Sequence, residues 1–267
     1  MKIITLVAAA MGAALLAGRG SAAPADGGHS VLELRQYKIV AGKRDAFVDY
    51  FEQYFVESQE ELGMRLVGQF RDRDDPSRFV WLRAFASMDV RGKALNDFYF
   101  GPVWQAHRDV ANPMLDDNDD VLLLKPAWDG SEVSAPQSKR PPPGAPAAAA
   151  GTVVITIEHL WKDPAESYAA HFRDALAPAY RAAGLPVLGA YVAENQTNNF
   201  PRLYVRQNER VFVWITRVAS PQAYAAAMRK LVTGSAWRDK LAGAQQNYLE
   251  RPPQILMLDP TPRSLLR

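Results

Sequence analysis

Hydrophobic and polar positions change period several times along this chain, and the changes occur in the same order twice. Residues 31–38 alternate with period two as a strand does. Phe47, Tyr50, Phe51, Tyr54, Phe55, Ser58 and Leu62 then mark one face of a helix, and Gly63 is placed to end it. Residues 65–71 and 79–85 read as strands joined by the polar turn Arg73-Asp74-Asp75-Pro76-Ser77. Ser87 predicts an N-cap for a helix carrying Ala94, Leu95 and Phe98. Gly101-Pro102 interrupts that helix before a further one bearing Trp104, and residues 121–125 close the unit as a buried strand. The order β-α-β-β-α-β predicts an α+β fold of ferredoxin-like type, with both helices on one face of a four-stranded antiparallel sheet.

The same order recurs at residues 152–160, 165–183, 187–192, 211–218, 221–233 and 254–258, with Pro178 placed to kink the first helix. Residues 79–104 align without a gap on 212–237, an offset of 133 that superposes Trp81 on Trp214 and Trp104 on Trp237. Upstream the offset is 121, carrying Phe47 to Tyr168 and Gly63 to Gly184, so the second copy holds an insertion around residues 194–208. We read two tandem ferredoxin-like domains, 29–128 and 152–262. Between them, residues 129–151 are too rich in proline and alanine to build a core and read as a linker.

Residues 1–23 read as an export signal: Lys2, an apolar stretch over 3–17, then Ser21-Ala22-Ala23 as a cleavage site. That stretch falls short of the roughly 20 residues a membrane span needs. The expectation is an exported bacterial protein, periplasmic or secreted, with no membrane span after signal cleavage. The formal charge of +2 comes from Lys2 and Arg19 in that segment, so the remainder is neutral and nucleic acid is not an expected partner. The absence of cysteine excludes disulfides and thiolate chemistry.

Alternation divides each strand into two faces. Leu32 and Leu34 suit the helices, which leaves Glu33, Arg35 and Tyr37 opposite; in the third strand Phe79, Trp81, Arg83 and Phe85 share a face. Such an aromatic face is not left in water. Packing the two open faces together predicts a barrel within one chain, its lumen holding tryptophans and arginines.

The run Glu33-Leu34-Arg35-Gln36-Tyr37, with Gly42-Lys43, Phe47, Phe51, Gly63-Met64, Gly68-Gln69-Phe70, Arg91 and Trp104, resembles the NIPSNAP family. The resemblance implies ferredoxin-like domains of the dimeric α/β-barrel superfamily in tandem, and no defined reaction. The wider superfamily includes small monooxygenases and haem-handling proteins.

Arg35, Tyr37, Trp81, Arg83 and Trp104 are the candidate ligand-binding residues, because arginine grips a carboxylate in an aromatic-walled cavity. The competing reading pairs Arg35 with Glu33 and makes the tryptophans core. Of the four histidines, His107 is the candidate base facing the lumen. The acidic run Asp116-Asp117-Asn118-Asp119-Asp120 lacks the glycine and terminal glutamate of a calcium loop and reads as a solvated turn, so no metal site is expected. No nucleotide-binding or serine-hydrolase motif is present, and no cofactor is expected. Three functions fit: an exported barrel binding a small aromatic or acyl/carboxylate ligand or a partner; a cofactor-independent monooxygenase or isomerase; and a structural or interaction module with a filled lumen. Enzyme or not, and homo-oligomer or not, stay open at this point.

Overall fold

Eight strands of this chain close on themselves, in a computed structural model that describes residues 28–134, 139–146, 151–163 and 167–267. The export segment 1–23 and the expected helix start at Ala165 lie outside the described residues. The first half runs β1 (Val31–Ile39), α1 (Arg44–Tyr54), α2 (Glu57–Glu60), β2 (Arg65–Asp72), β3 (Arg78–Phe85), α3 (Met88–Tyr99), α4 (Pro102–Ala111) and β4 (Leu115–Pro126). The second runs β5 (Thr152–His159), α5 (Tyr168–His171), α6 (Ala177–Ala183), β6 (Val187–Ala193), β7 (Val211–Val218), α7 (Pro221–Thr233), α8 (Ala242–Gln246) and β8 (Gln254–Pro260).

The strand order around the barrel is β1-β3-β2-β8-β5-β7-β6-β4, so each half keeps the order fourth, first, third, second. The two seams are antiparallel: β2 meets β8 at Phe70↔Pro260, and β4 meets β6 at Leu124↔Ala193. Edges that would otherwise present free backbone groups are consumed by closure.

Local chemistry repeats between the halves. Ser87 Oγ accepts from the Val90 N–H and Ser220 Oγ from the Ala223 N–H, both at 3.2 Å, so the same cap opens α3 and α7. Gly63 and Gly184 stand at φ +86° and +106°, the left-handed geometry that ends a helix. Pro178 has no N–H to offer the carbonyl four residues back. The helix before it loosens into a π turn over Phe172–Leu176, where the Ala177 N–H bonds the Phe172 carbonyl.

The face assignment expected from alternation is reversed. Leu32, Leu34, Leu82, Ile155, Val213 and Leu258 meet inside the barrel and fill it. Tyr37, Phe79, Trp81 and Phe85 lie on the outer face, beneath the helices. The interior of an eight-stranded barrel is just wide enough for aliphatic side chains, whereas the gap between sheet and helices takes long aromatic ones. On that outer face Glu33 and Arg83 find partners on the helices, Arg91 and Gln59.

The acidic run is also not a turn. Asp120 pairs with Gln36 and Asp117 with Lys38 in a β4 longer than expected, and Asp116 meets the Lys38 Nζ at 2.7 Å. Parts of the connection between the halves pack closely: Val133 closes on the barrel interior, and Arg140 bonds Glu60 and the Arg263 carbonyl. The C-terminal residues run beside β2, where the Leu266 N–H bonds the Val67 carbonyl at 3.0 Å. Among the described residues no helix is long and apolar enough to cross a membrane.

Candidate functional site

On the outer face of the first sheet, Glu33 is the centre of a buried charge cluster. Cross-strand register sets Glu33 opposite Arg83 and Arg35 opposite Trp81. The Glu33 carboxylate accepts from Arg35 Nη1 (3.0 Å), Arg83 Nε and Nη2 (3.0 and 2.6 Å) and Arg91 Nε (2.8 Å). All four side chains are completely shielded from solvent. Burial alone would push the Glu33 carboxyl up, but Arg83, Arg91 and Arg35 outweigh it and hold it far below the usual carboxylate range. Three guanidinium groups against one carboxylate leave a surplus of two positive charges, and Arg35 Nη2 and Arg91 Nη2 have no partner among the described residues.

Neighbours absorb part of that surplus. Arg35 Nε donates to the Tyr37 hydroxyl at 3.0 Å, and Arg83 Nη1 donates to Gln59 Oε1 at 2.7 Å. The Arg83 guanidinium lies 4.8 Å from the Trp81 ring centre. Arg91 Nη1 donates to Asn198 Oδ1 (3.1 Å) and Asn199 Oδ1 (2.7 Å), both carried by the insertion of the second half. Burial raises the Tyr37 hydroxyl to about 12, against the pull of Arg35, so it keeps its proton at neutral pH.

Above this layer a cavity of about 400 Å³ opens between sheet and helices. Tyr37, Gln59 and Trp81 form its inner wall, Phe55, Phe98 and Trp104 its sides, and Phe200, Arg202 and Leu203 of the insertion its far side. The second half thus completes a cavity built on the first. Its exposed rim carries Gln105, Arg108, Asn112 and Arg202.

The expected site residues are therefore together, in a different place. Tyr37, Trp81 and Trp104 line the cavity. Arg35 and Arg83 stand behind its inner wall, joined to Glu33 and hydrogen-bonded to the lining residues Tyr37 and Gln59. None of the five faces the lumen. His107, expected as a lumen base, instead stacks on Tyr54 at 3.9 Å between ring centres, and its Nδ1 lies 2.7 Å from the Tyr50 hydroxyl. It packs between α1 and α4, outside the cavity lining. Gln59 escaped the sequence reading although it continues the four-residue spacing of Phe51 and Phe55. Asn198, Asn199 and Phe200 were signalled only by the change of offset.

The second half carries a different arrangement at the same level. By register Thr156 replaces Arg35, Glu158 replaces Tyr37 and Thr216 replaces Arg83. Glu158 accepts from the Tyr168 hydroxyl (2.7 Å) and Gln245 Nε2 (2.8 Å). Burial raises its carboxyl to about 7, the two hydrogen bonds only partly opposing it. Tyr180, the counterpart of Gln59, lies 4.5 Å from Trp214 and 5.6 Å from Trp237 between ring centres, filling the level where the first half is hollow.

Among solved structures, an anthrone oxidase-like protein aligns with a TM-score of 0.57 at 11% identity, over 88% of this chain and 92% of its own. A candidate monooxygenase from Lactobacillus acidophilus NCFM aligns with a TM-score of 0.55 at 12% identity, over 87% of this chain and 94% of its own. At these identities the likeness is one of fold. A NIPSNAP family protein from Agrobacterium tumefaciens str. C58 is covered completely by 40% of this chain, at 22% identity and a TM-score of 0.36. No curated protein matches the chain. The NIPSNAP family model matches residues 32–128, the span that holds Glu33, Arg35, Gln59, Trp81, Arg83 and Arg91. The first half of this closed barrel is a NIPSNAP domain.

Proposed function

We propose that this protein binds a small flat ligand, aromatic or acyl, in the cavity between the sheet and helices of its NIPSNAP domain. The observation that carries the reading is the hollow itself. One half holds about 400 Å³ walled by Phe55, Phe98, Trp104 and Phe200, while its counterpart level is filled by Tyr180, Trp214 and Trp237. A core built for stability alone is packed like its partner, so an apolar cavity with a few fixed polar groups is the default form of a ligand site.

The barrel arises by duplication of one ferredoxin-like unit, a reading supported by the shared strand order, the shared serine caps and the equivalent tryptophans. Only one copy then retains the site. Residues 1–23 direct the chain out of the cytoplasm, so the ligand is met in the periplasm or outside the cell. A cofactor-independent monooxygenase or isomerase is the weaker reading, because among the described residues no histidine or carboxylate lines the cavity and His107 is packed elsewhere. A purely structural module accounts for the filled lumen and leaves the cavity without a reason.

Native mass spectrometry of protein purified from its own cell envelope tests this. A retained small molecule that is lost in Leu203→Trp, which fills the cavity, is the expected result. Retention undiminished in that variant overturns the assignment.

A further inference from the structure

On the inner wall of the cavity Tyr37 and Gln59 are held as donors, and the Tyr99 hydroxyl, which can donate or accept, lines the cavity beside them. The Tyr37 hydroxyl already accepts from Arg35 Nε at 3.0 Å, and its own proton has no acceptor among the described residues. Gln59 Oε1 is taken by Arg83 Nη1, and since guanidinium groups only donate, that contact fixes the amide the other way round. Gln59 Nε2 spends one hydrogen on the Phe55 carbonyl at 2.6 Å and holds a second. Trp81 Nε1 is shut off from the cavity's free space and has no partner among the described residues. Among the described residues neither carboxylate nor imidazole lines the cavity. Directly behind this wall sit three guanidinium groups and the single carboxylate of Glu33.

We infer that the site takes an aromatic anion, its charged oxygen seated inward on Tyr37 with Gln59, and its ring among Phe55, Phe98 and Trp104. This rests on the ligand-binding reading of the cavity and adds the ligand's charge and direction. The arginines act at one remove. Arg35 fixes the Tyr37 hydroxyl as a donor and Arg83 fixes Gln59, so a ligand end that must donate finds no acceptor on either, while an oxyanion is also drawn by the uncompensated charge behind the wall. A carboxylate and a phenolate share this chemistry.

Quenching of tryptophan fluorescence, with Trp81 and Trp104 in the cavity wall, tests it on the whole protein. The probes are 2-naphthoate, the isosteric neutral 2-naphthamide, and 4-nitrophenol followed across its ionisation. Binding of 2-naphthoate at least about tenfold tighter than 2-naphthamide is expected, with most of that gap lost in Tyr37→Phe, since one charge-assisted hydrogen bond is removed. Tightening of 4-nitrophenol as it ionises shows that a phenolate serves as well. Equal affinity for naphthoate and naphthamide overturns the inference and leaves the cavity reading standing. Failure of every probe, or binding unaltered in Leu203→Trp, overturns both.

Discussion

Glu33 and Glu158 are both buried carboxyls beneath the helices of their own half, and their surroundings could hardly differ more. Glu33 is met by three guanidinium groups and stays ionised; Glu158 is met by Tyr168 and Gln245 and is raised to about 7. Around Glu33 the helix layer leaves a cavity, and around Glu158 it is filled. A helix layer that needed only to be stable would favour the neutral, filled version, because buried ion clusters seldom outdo apolar packing. Retention of a charged, hollow version in one half points to a requirement other than stability.

The largest effect is expected from Glu33→Gln. It leaves Arg35, Arg83 and Arg91 buried without a counter-charge, a loss on the order of 3–5 kcal/mol in denaturant unfolding. Arg35→Met and Arg83→Met each leave Glu33 with two guanidinium partners and should cost visibly less; losses as large as that of Glu33→Gln would make all four residues scaffold alone.

Tyr180→Ala tests the filled half directly. Removing this ring from between Trp214 and Trp237 should cost about 2–4 kcal/mol and open a hollow to neutral aromatics, measurable as ligand-dependent stabilisation. A loss well below 1 kcal/mol would mean that the level is less well filled than its contacts indicate.

The two carboxyls should respond to pH with opposite signs. Glu158 has a raised folded value, so the folded state binds the proton more tightly than the unfolded one; its contribution is present below 4.5 and is lost as pH rises through about 7. Glu33 has a lowered one, so its contribution is present above 4.5 and is lost as pH falls below that value. Unfolding free energy measured between pH 4.5 and 7.5 should fall by about 2–3 kcal/mol more in the parent protein than in Glu158→Gln. Parallel curves would show that Glu158 has an unrecognised charged partner.

The smallest expected effect concerns the insertion. Asn199→Ala removes the shorter of the two acceptors of Arg91 Nη1, and the remaining Asn198 limits the loss to about 1 kcal/mol. Ligand affinity should fall more than stability does, because Phe200 and Leu203 are held in the cavity wall by the same segment.

The order of elements was legible because each rests on a local signal: the alternation of β1, the spacing of Phe47 and Phe51, the caps at Ser87 and Ser220, the glycines at 63 and 184. Even the insertion showed as a change of offset between Gly189 and Val211. The side of the sheet on which Leu34 and Arg35 would lie was not legible, since alternation separates two faces without saying which one meets the partner sheet. That single inversion moved the candidate site from the lumen to the helix layer. His107 and the run 116–120 were misread for a related reason: the partners that decide them, Tyr50, Tyr54, Gln36 and Lys38, are distant in sequence, and nothing local announces the contact. Asn199 reaches Arg91 across 108 residues and two halves of the molecule.

The central claim is that the ligand site lies under the helices of the first half. A crystal of the protein soaked with 4-iodobenzoate, with the iodine located by its anomalous scattering, tests it most directly. The account predicts iodine among Phe98, Trp104 and Phe200 with the carboxylate directed at Tyr37. Iodine in the barrel interior beside Leu34, Leu82 and Ile155, or beneath the helices of the second half beside Trp214, would contradict it.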